Sequence, residues 1–263
     1  MQASAQGLIV GYDEAGSGTP LLLLHGFPLH RRMWAPQLAA LAGRAHCIAP
    51  DVRGFGESGI APPFTIDQFA DDAVALLDSL GVAEPAVVCG LSMGGYIAFA
   101  LWRRHPSRVR ALILADTRPT ADTAETKEKR RELIETVRTR GSAAIAESQA
   151  RAMLSPRTLE RCPEKLGEVQ AMITAQPPEA IAAASEAMIS RPDSTATMAT
   201  ITVPTLIVVG EHDAITPPAI SEEMQRAIPN SRLERLSGAG HLSSLERPAA
   251  FNGAVAHFLA KVR

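Results

Sequence analysis

Val87-Val88-Cys89-Gly90-Leu91-Ser92-Met93-Gly94-Gly95-Tyr96 runs from an apolar, strand-like segment through Gly-x-Ser-x-Gly into a segment with helical patterning. The reading is a strand that turns sharply into a helix, with Ser92 at the apex. A serine hydroxyl is a weak nucleophile unless it is held clear of the backbone, next to a base and beside donors that can receive negative charge. A tight strand-to-helix turn does this. Gly90 and Gly94 leave room where strand and helix cross, and Ser92 takes the strained conformation itself.

The chain on either side repeats the same alternation. Upstream, Leu8–Tyr12 reads as a strand, and Pro20–Leu24 is a continuous apolar run suited to a strand buried on both faces. That run stops at His25-Gly26-Phe27-Pro28, a turn at the carboxyl edge, where ligands sit in open α/β sheets. Met33–Leu41 reads as a helix and Ala45–Pro50 as a strand, followed by the glycine-rich loop Asp51-Val52-Arg53-Gly54-Phe55-Gly56-Glu57-Ser58. Thr65 caps a helix over Ile66–Leu80, whose apolar residues recur at three- and four-residue spacing until Gly81. Downstream of Ser92, a helix over Gly95–His105 precedes the strand Val109–Ala115, which ends at Asp116. This order predicts an α/β protein with a mostly parallel, doubly wound sheet and right-handed crossovers.

From about Arg118 to Met198 the alternation gives way to helical stretches punctuated by Gly141, Pro156, Pro163, Pro177-Pro178 and Pro192. We expect an inserted helical lid of about four helices over residues 118–198, with the core formed by residues 1–117 and 199–263. The run Lys127-Glu128-Lys129-Arg130-Arg131-Glu132 mixes signs and reads as a solvated helix face. Strand patterning returns at Val203–Val209, ending in Gly210-Glu211-His212-Asp213; Arg232–Leu236 alternates like an edge strand, and Ser237-Gly238-Ala239-Gly240-His241 precedes a closing helix over Arg247–Val262.

Composition narrows the class of partner. With 263 residues and 46% hydrophobic content the chain buries a sizeable core, and a net charge of -2 leaves no basic excess for a nucleic-acid backbone. No apolar run approaches a membrane span, and Met1–Gln6 lacks the features of a signal peptide, so the expected location is cytoplasmic. Cys47, Cys89 and Cys162 are widely spaced, without a metal-type pair.

Ser92, Asp213 and His241 each lie just past a predicted strand, in the order nucleophile, acid, base. Glu211 and Asp116 compete for the acid position, and Asp213 is the first choice. Together with His25-Gly26-Phe27-Pro28 and the Asp51–Ser58 loop, these motifs make the chain resemble α/β-hydrolases over nearly its whole length; Phe27-Pro28, Met33–Gln37 and Gly90–Gly95 are similar to the small carboxylesterase and 3-oxoadipate enol-lactonase branch. The resemblance implies a serine hydrolase acting on carboxylic esters through an acyl-serine intermediate, without cofactor or metal, on a small-molecule ester or lactone. It implies an oxyanion hole from the backbone N–H groups of Phe27 and Met93, and places His25 as a brace of the oxyanion turn. Trp34, Met153, Met188 and Leu242 are candidate substrate contacts, with packing as the alternative for Trp34 and for the methionines. Lactone opening and cofactor-free perhydrolase or haloperoxidase-like chemistry are variants of the same site; a small-molecule receptor using the lid pocket is the non-enzymatic alternative.

Overall fold

The computed structural model describes residues 1–262. Eight strands, β1 (Gln2–Ala5), β2 (Leu8–Ala15), β3 (Pro20–Leu24), β4 (His46–Pro50), β5 (Ala86–Leu91), β6 (Val109–Ala115), β7 (Thr205–Gly210) and β8 (Ser231–Leu236), form one sheet in the order β1-β2-β4-β3-β5-β6-β7-β8. The pairs β1–β2 and β2–β4 are antiparallel, and every pair from β4 to β8 is parallel. The doubly wound expectation is met, with one strand the sequence reading missed: β1, four residues long and mostly exposed, lacks the apolar run that marks its neighbours.

Helices follow the strands in register with the pattern: α1 (Ala35–Leu41), after a 3-10 turn at Arg31–Trp34; α2 (Ile66–Ser79); and α3 (Met93–Arg104). Thr65 caps α2 by accepting from the Gln68 N–H at 3.0 Å. Leu21 to Leu24 of β3 and all of β5 and β7 are buried, as strands covered on both faces require. Covering them are α2 and α3, packed on each other, and α1 packed against the closing helix α12 (Pro248–Leu259).

Between β6 and β7 lie six helices: α4 (Ala124–Arg140), α5 (Ala143–Met153), α6 (Pro156–Arg161), α7 (Glu164–Thr174), α8 (Pro178–Ser190) and α9 (Thr195–Met198). The expectation of about four fails because α6 and α9, six and four residues long, are too short to carry a readable 3.6-residue period. α4 packs on α8 and α5 on α7. After β7 come α10 (Pro218–Ala227), then β8, then α11 (Ser243–Glu246). No helix among the described residues is long and apolar enough to cross a membrane.

Candidate active site

Ser92 occupies the single residue between β5 and α3, with φ 54° and ψ −112°. That left-handed backbone is strained for a residue with a side chain, and persists only where its surroundings over-determine it. They do so here. A Cβ on Gly90 would stand 2.1 Å from the Gly94 carbonyl oxygen, and one on Gly94 2.1 Å from the Leu24 carbonyl oxygen, so strand and helix meet at backbone contact. The Ser92 N–H donates to the Ala115 carbonyl at 2.9 Å, and the Thr117 hydroxyl donates to the Ser92 carbonyl at 2.8 Å, pinning the turn to the end of β6.

His241 reaches the turn from the loop after β8. Its Nε2 lies 2.9 Å from Ser92 Oγ, and its Nδ1 lies 2.8 Å from Asp213 Oδ2. An imidazole protonated on Nδ1 therefore donates to Asp213 and accepts from the Ser92 hydroxyl. Asp213 sits in the loop after β7, its Oδ1 accepting from the N–H groups of Ile215 and Thr216 at 2.8 and 2.9 Å and its Oδ2 from the Thr216 hydroxyl at 2.5 Å. Burial pushes this carboxyl's pKa up, but the nearby His241 and the hydrogen bonds from His241 and Thr216 outweigh it and hold it below the ordinary value. Both side chains are nearly inaccessible to solvent.

The two competing acids are directed elsewhere. Glu211 is exposed and accepts from the Ser237 hydroxyl and the Gly238 N–H. Asp116 is buried at the end of β6, with φ 44°; it accepts from the Gly210 N–H at 2.8 Å and from the Ser243 hydroxyl. It thus braces the acid-bearing and base-bearing loops against each other. Burial, with the charge of Asp213 next, raises its pKa well above the usual carboxylate range.

On the other side of Ser92 is the turn after β3. The N–H groups of Phe27 and Met93 have no acceptor among the described residues. His25, buried beneath the turn, contacts the Gly26 carbonyl through Nδ1 at 3.0 Å and accepts from the Val52 N–H through Nε2 at 2.9 Å. Protonation would force Nε2 to face that N–H as a second donor, and burial lowers the pKa to about 4. Asp51 steadies the neighbouring loop by accepting from the N–H groups of Arg31 and Glu57, both at 2.8 Å, and by pairing with the Arg31 guanidinium.

A serine at a strand-to-helix turn, a histidine and an aspartate from successive loops at one sheet edge, and residues 19–248 matching the alpha/beta hydrolase fold family point the same way. The chain belongs to the α/β-hydrolase family. It is 31% identical to 3-oxoadipate enol-lactonase 2 of Acinetobacter baylyi over 96% of this chain and 93% of that one. Among solved structures, a thermophilic esterase from Thermogutta terrifontis superposes with a TM-score of 0.96 at 40% identity, covering 100% of this chain and 98% of that one. The enol-lactonase from Burkholderia xenovorans gives 0.91 at 31% identity, covering 99% and 100%.

In this α/β-hydrolase a cavity of about 280 Å³ opens on Ser92 and His241. Of the candidate contacts, Met153 and Met188 line it beside Phe27, and Trp34 and Leu242 do not. Trp34 is fully buried against Phe251, their ring centroids 6.0 Å apart, and Leu242 is buried in the core. The missed lining residues come mostly from the inserted helices. Lys129 and Arg130, read as part of a solvated face, border the cavity together with Arg118, Gln149 and Leu133. Arg130 turns inward because its Nε pairs at 2.6 Å with Asp122, a fully buried carboxylate that a local charge pattern does not reveal. A larger cleft, lined in part by Arg32 and Lys165, contains neither Ser92 nor His241.

Proposed function

We propose that this hydrolase cleaves small carboxylic esters and lactones through an acyl-serine intermediate. The observation that carries the reading is the unbroken hydrogen-bond chain from Ser92 Oγ through both nitrogens of His241 to Asp213. In the proposed sequence, His241 Nε2 takes the Ser92 proton as Oγ bonds to the acyl carbon; the carbon–alkoxide bond then breaks and His241 protonates the departing alcohol. Water, deprotonated by the same nitrogen, attacks the acyl-serine, releasing the acid and returning the proton to Ser92. Asp213 holds the imidazole tautomer and stabilises the imidazolium. The N–H groups of Phe27 and Met93 receive the oxyanion, a role suited to donors with no other acceptor.

The cavity of about 280 Å³ is at the lower end of ligand-pocket sizes, which favours small substrates. The six inserted helices act as the lid in this reading, supplying Met153 and Met188 as apolar walls. Likeness to both an esterase and enol-lactonases supports placing open-chain and cyclic esters together, since one serine attacks either. Three free cysteines, two of them buried, fit a reducing compartment such as the cytoplasm.

The test is steady-state hydrolysis of short-to-long p-nitrophenyl esters and a lactone panel by wild type and Ser92→Ala. Short substrates are expected to be turned over, with loss of at least about 10⁴-fold in kcat in the variant. Turnover that survives in Ser92→Ala, or a wild type inert on both panels, would refute the assignment.

A further inference from the structure

When the acyl carbon parts from the alcohol oxygen, His241 Nε2 gives that oxygen its proton. The alcohol oxygen of a bound ester must therefore stand within hydrogen-bond reach of Nε2, and its carbon chain begins on the histidine side of Ser92 Oγ. The lining residues tied to His241 on that side are apolar. The Met153 carbonyl accepts from the His241 N–H at 2.9 Å, which sets Met153 and its neighbour Ala152 beside His241. Ile215 comes from the acid loop: its N–H donates to Asp213 Oδ1 at 2.8 Å, and Asp213 Oδ2 meets His241 Nδ1. Ala152, Met153 and Ile215 all line the Ser92 cavity.

This part of the lining is also where the cavity meets solvent. Among the described residues Met1, Ile9, Ile60 and Ile215 are the large apolar side chains left exposed, and of these only Ile215, at 37%, borders the cavity. Ala152 is exposed as well, and Met153 is buried. The backbone of Ile215 is held by the Asp213 turn on one side and by Pro217-Pro218, at the start of α10, on the other. A ligand that covers its side chain therefore costs little chain freedom. The charged part of the lining is tied elsewhere: Arg118 and Arg130 pair with the buried Asp122, and the Arg191 guanidinium lies 4.0 Å over the Tyr96 ring. An alkyl chain led among those guanidiniums strips water from them without replacing its hydrogen bonds; one led past Ile215 does not.

We infer that Ile215, with Ala152 and Met153, forms an apolar rim that receives the alcohol half of the substrate, and that the preferred substrates are esters of a short acid with a longer apolar alcohol. This rests on the ester-hydrolase reading above and sharpens it. The cavity of about 280 Å³ leaves room for a short acyl group, and the far end of the alcohol lies along its mouth, where each added methylene covers apolar surface of Ile215. Ile215 thus sets which half of the ester can be long.

Two isomeric esters test it, hexyl acetate and ethyl hexanoate, which carry the same length of chain on the alcohol and on the acyl side, with ethyl acetate as the common reference. Wild type should show kcat/KM at least about fivefold higher for hexyl acetate than for ethyl hexanoate. In Ile215→Asn the ratio of hexyl acetate to ethyl acetate should fall by about fivefold, while that of ethyl hexanoate to ethyl acetate falls by less than about twofold. Ratios taken within one protein cancel any general loss of activity. Ile215→Ala, which shortens the side chain without adding a polar group, should lower the same ratio by less; melting temperatures check that both variants fold, and the alanine variant decides if the asparagine one does not. A smaller wild-type preference, a hexyl acetate ratio that survives substitution, or an equal fall for both long esters overturns the rim. Should wild type hydrolyse no ester, the ester-hydrolase reading falls separately, and calorimetric titration with 1-hexanol decides the rim: binding is several-fold weaker to the variant than to wild type if it exists, and equal or absent if it does not.

Discussion

Asp116 illustrates how much depends on a single buried carboxyl. It reaches the Gly210 N–H, three residues before Asp213, and the Ser243 hydroxyl, two residues after His241. Asparagine preserves both contacts, its oxygen accepting from Gly210 and its amide donating to Ser243; alanine abandons both. Asp116→Ala should therefore lose about 1–3 kcal/mol of stability together with much of its hydrolase activity, whereas Asp116→Asn should keep its fold. The sign of the pH effect follows from the raised pKa. A carboxyl whose folded pKa lies above its unfolded one contributes stability at low pH that is lost as pH rises through the folded value, so the advantage of Asp116→Asn over wild type should grow on going from acid to alkaline buffer. Urea denaturation of the three proteins across that range checks both statements. At this scale the sequence showed which acids were available. It did not show which one met His241, because Asp116, Glu211 and Asp213 all follow strands at the same sheet edge.

Whole elements meet at the site through backbone contact. α3 crosses β3 so closely that a methyl on Gly94 collides with the Leu24 carbonyl, and neither partner can move without displacing an element. Gly94→Ala should cost at least about 3 kcal/mol, seen as a fall of roughly 10 °C in melting temperature or as insoluble expression. The inserted helices are tied to the base loop as firmly. The Met153 carbonyl accepts from the His241 N–H at 2.9 Å, and Glu246 accepts from the N–H groups of Gly240 and Ser155, both at 2.8 Å, and from the Thr158 hydroxyl at 2.6 Å. Glu246→Ala removes the three carboxylate bonds of this junction and leaves the Met153–His241 backbone bond. It should lower kcat on a short ester by about tenfold and stability by about 1–3 kcal/mol, measured by steady-state kinetics beside thermal denaturation. Gly-x-Ser-x-Gly announced the first of these contacts, since only glycine permits that approach. Nothing local announced the second, because Glu246 and Ser155 lie 91 residues apart.

For the molecule as a whole, acid is the expected weak point. His25 is buried with Nε2 facing the Val52 N–H, and burial lowers its pKa from the ordinary 6.5 to about 4. Between those values the unfolded chain binds the proton and the folded one does not. The contribution is therefore complete above about pH 6.5 and is lost as pH falls toward 4; the gap corresponds to about 3 kcal/mol. Wild type should show a steep fall in urea midpoint between pH 7 and pH 4, and His25→Gln a shallower one; equal slopes would count against this origin. Sequence by itself determined the α/β class, the strand sequence around Ser92, the order serine, acid, histidine and the buried strands, because each is written in short-range periodicity or in a glycine a turn requires. Only the tertiary structure decided that Trp34 packs against Phe251 while Lys129 and Arg130 border the cavity. Which side of a charged helix faces inward depends on partners such as the buried Asp122, and such partners become neighbours only when the helices pack.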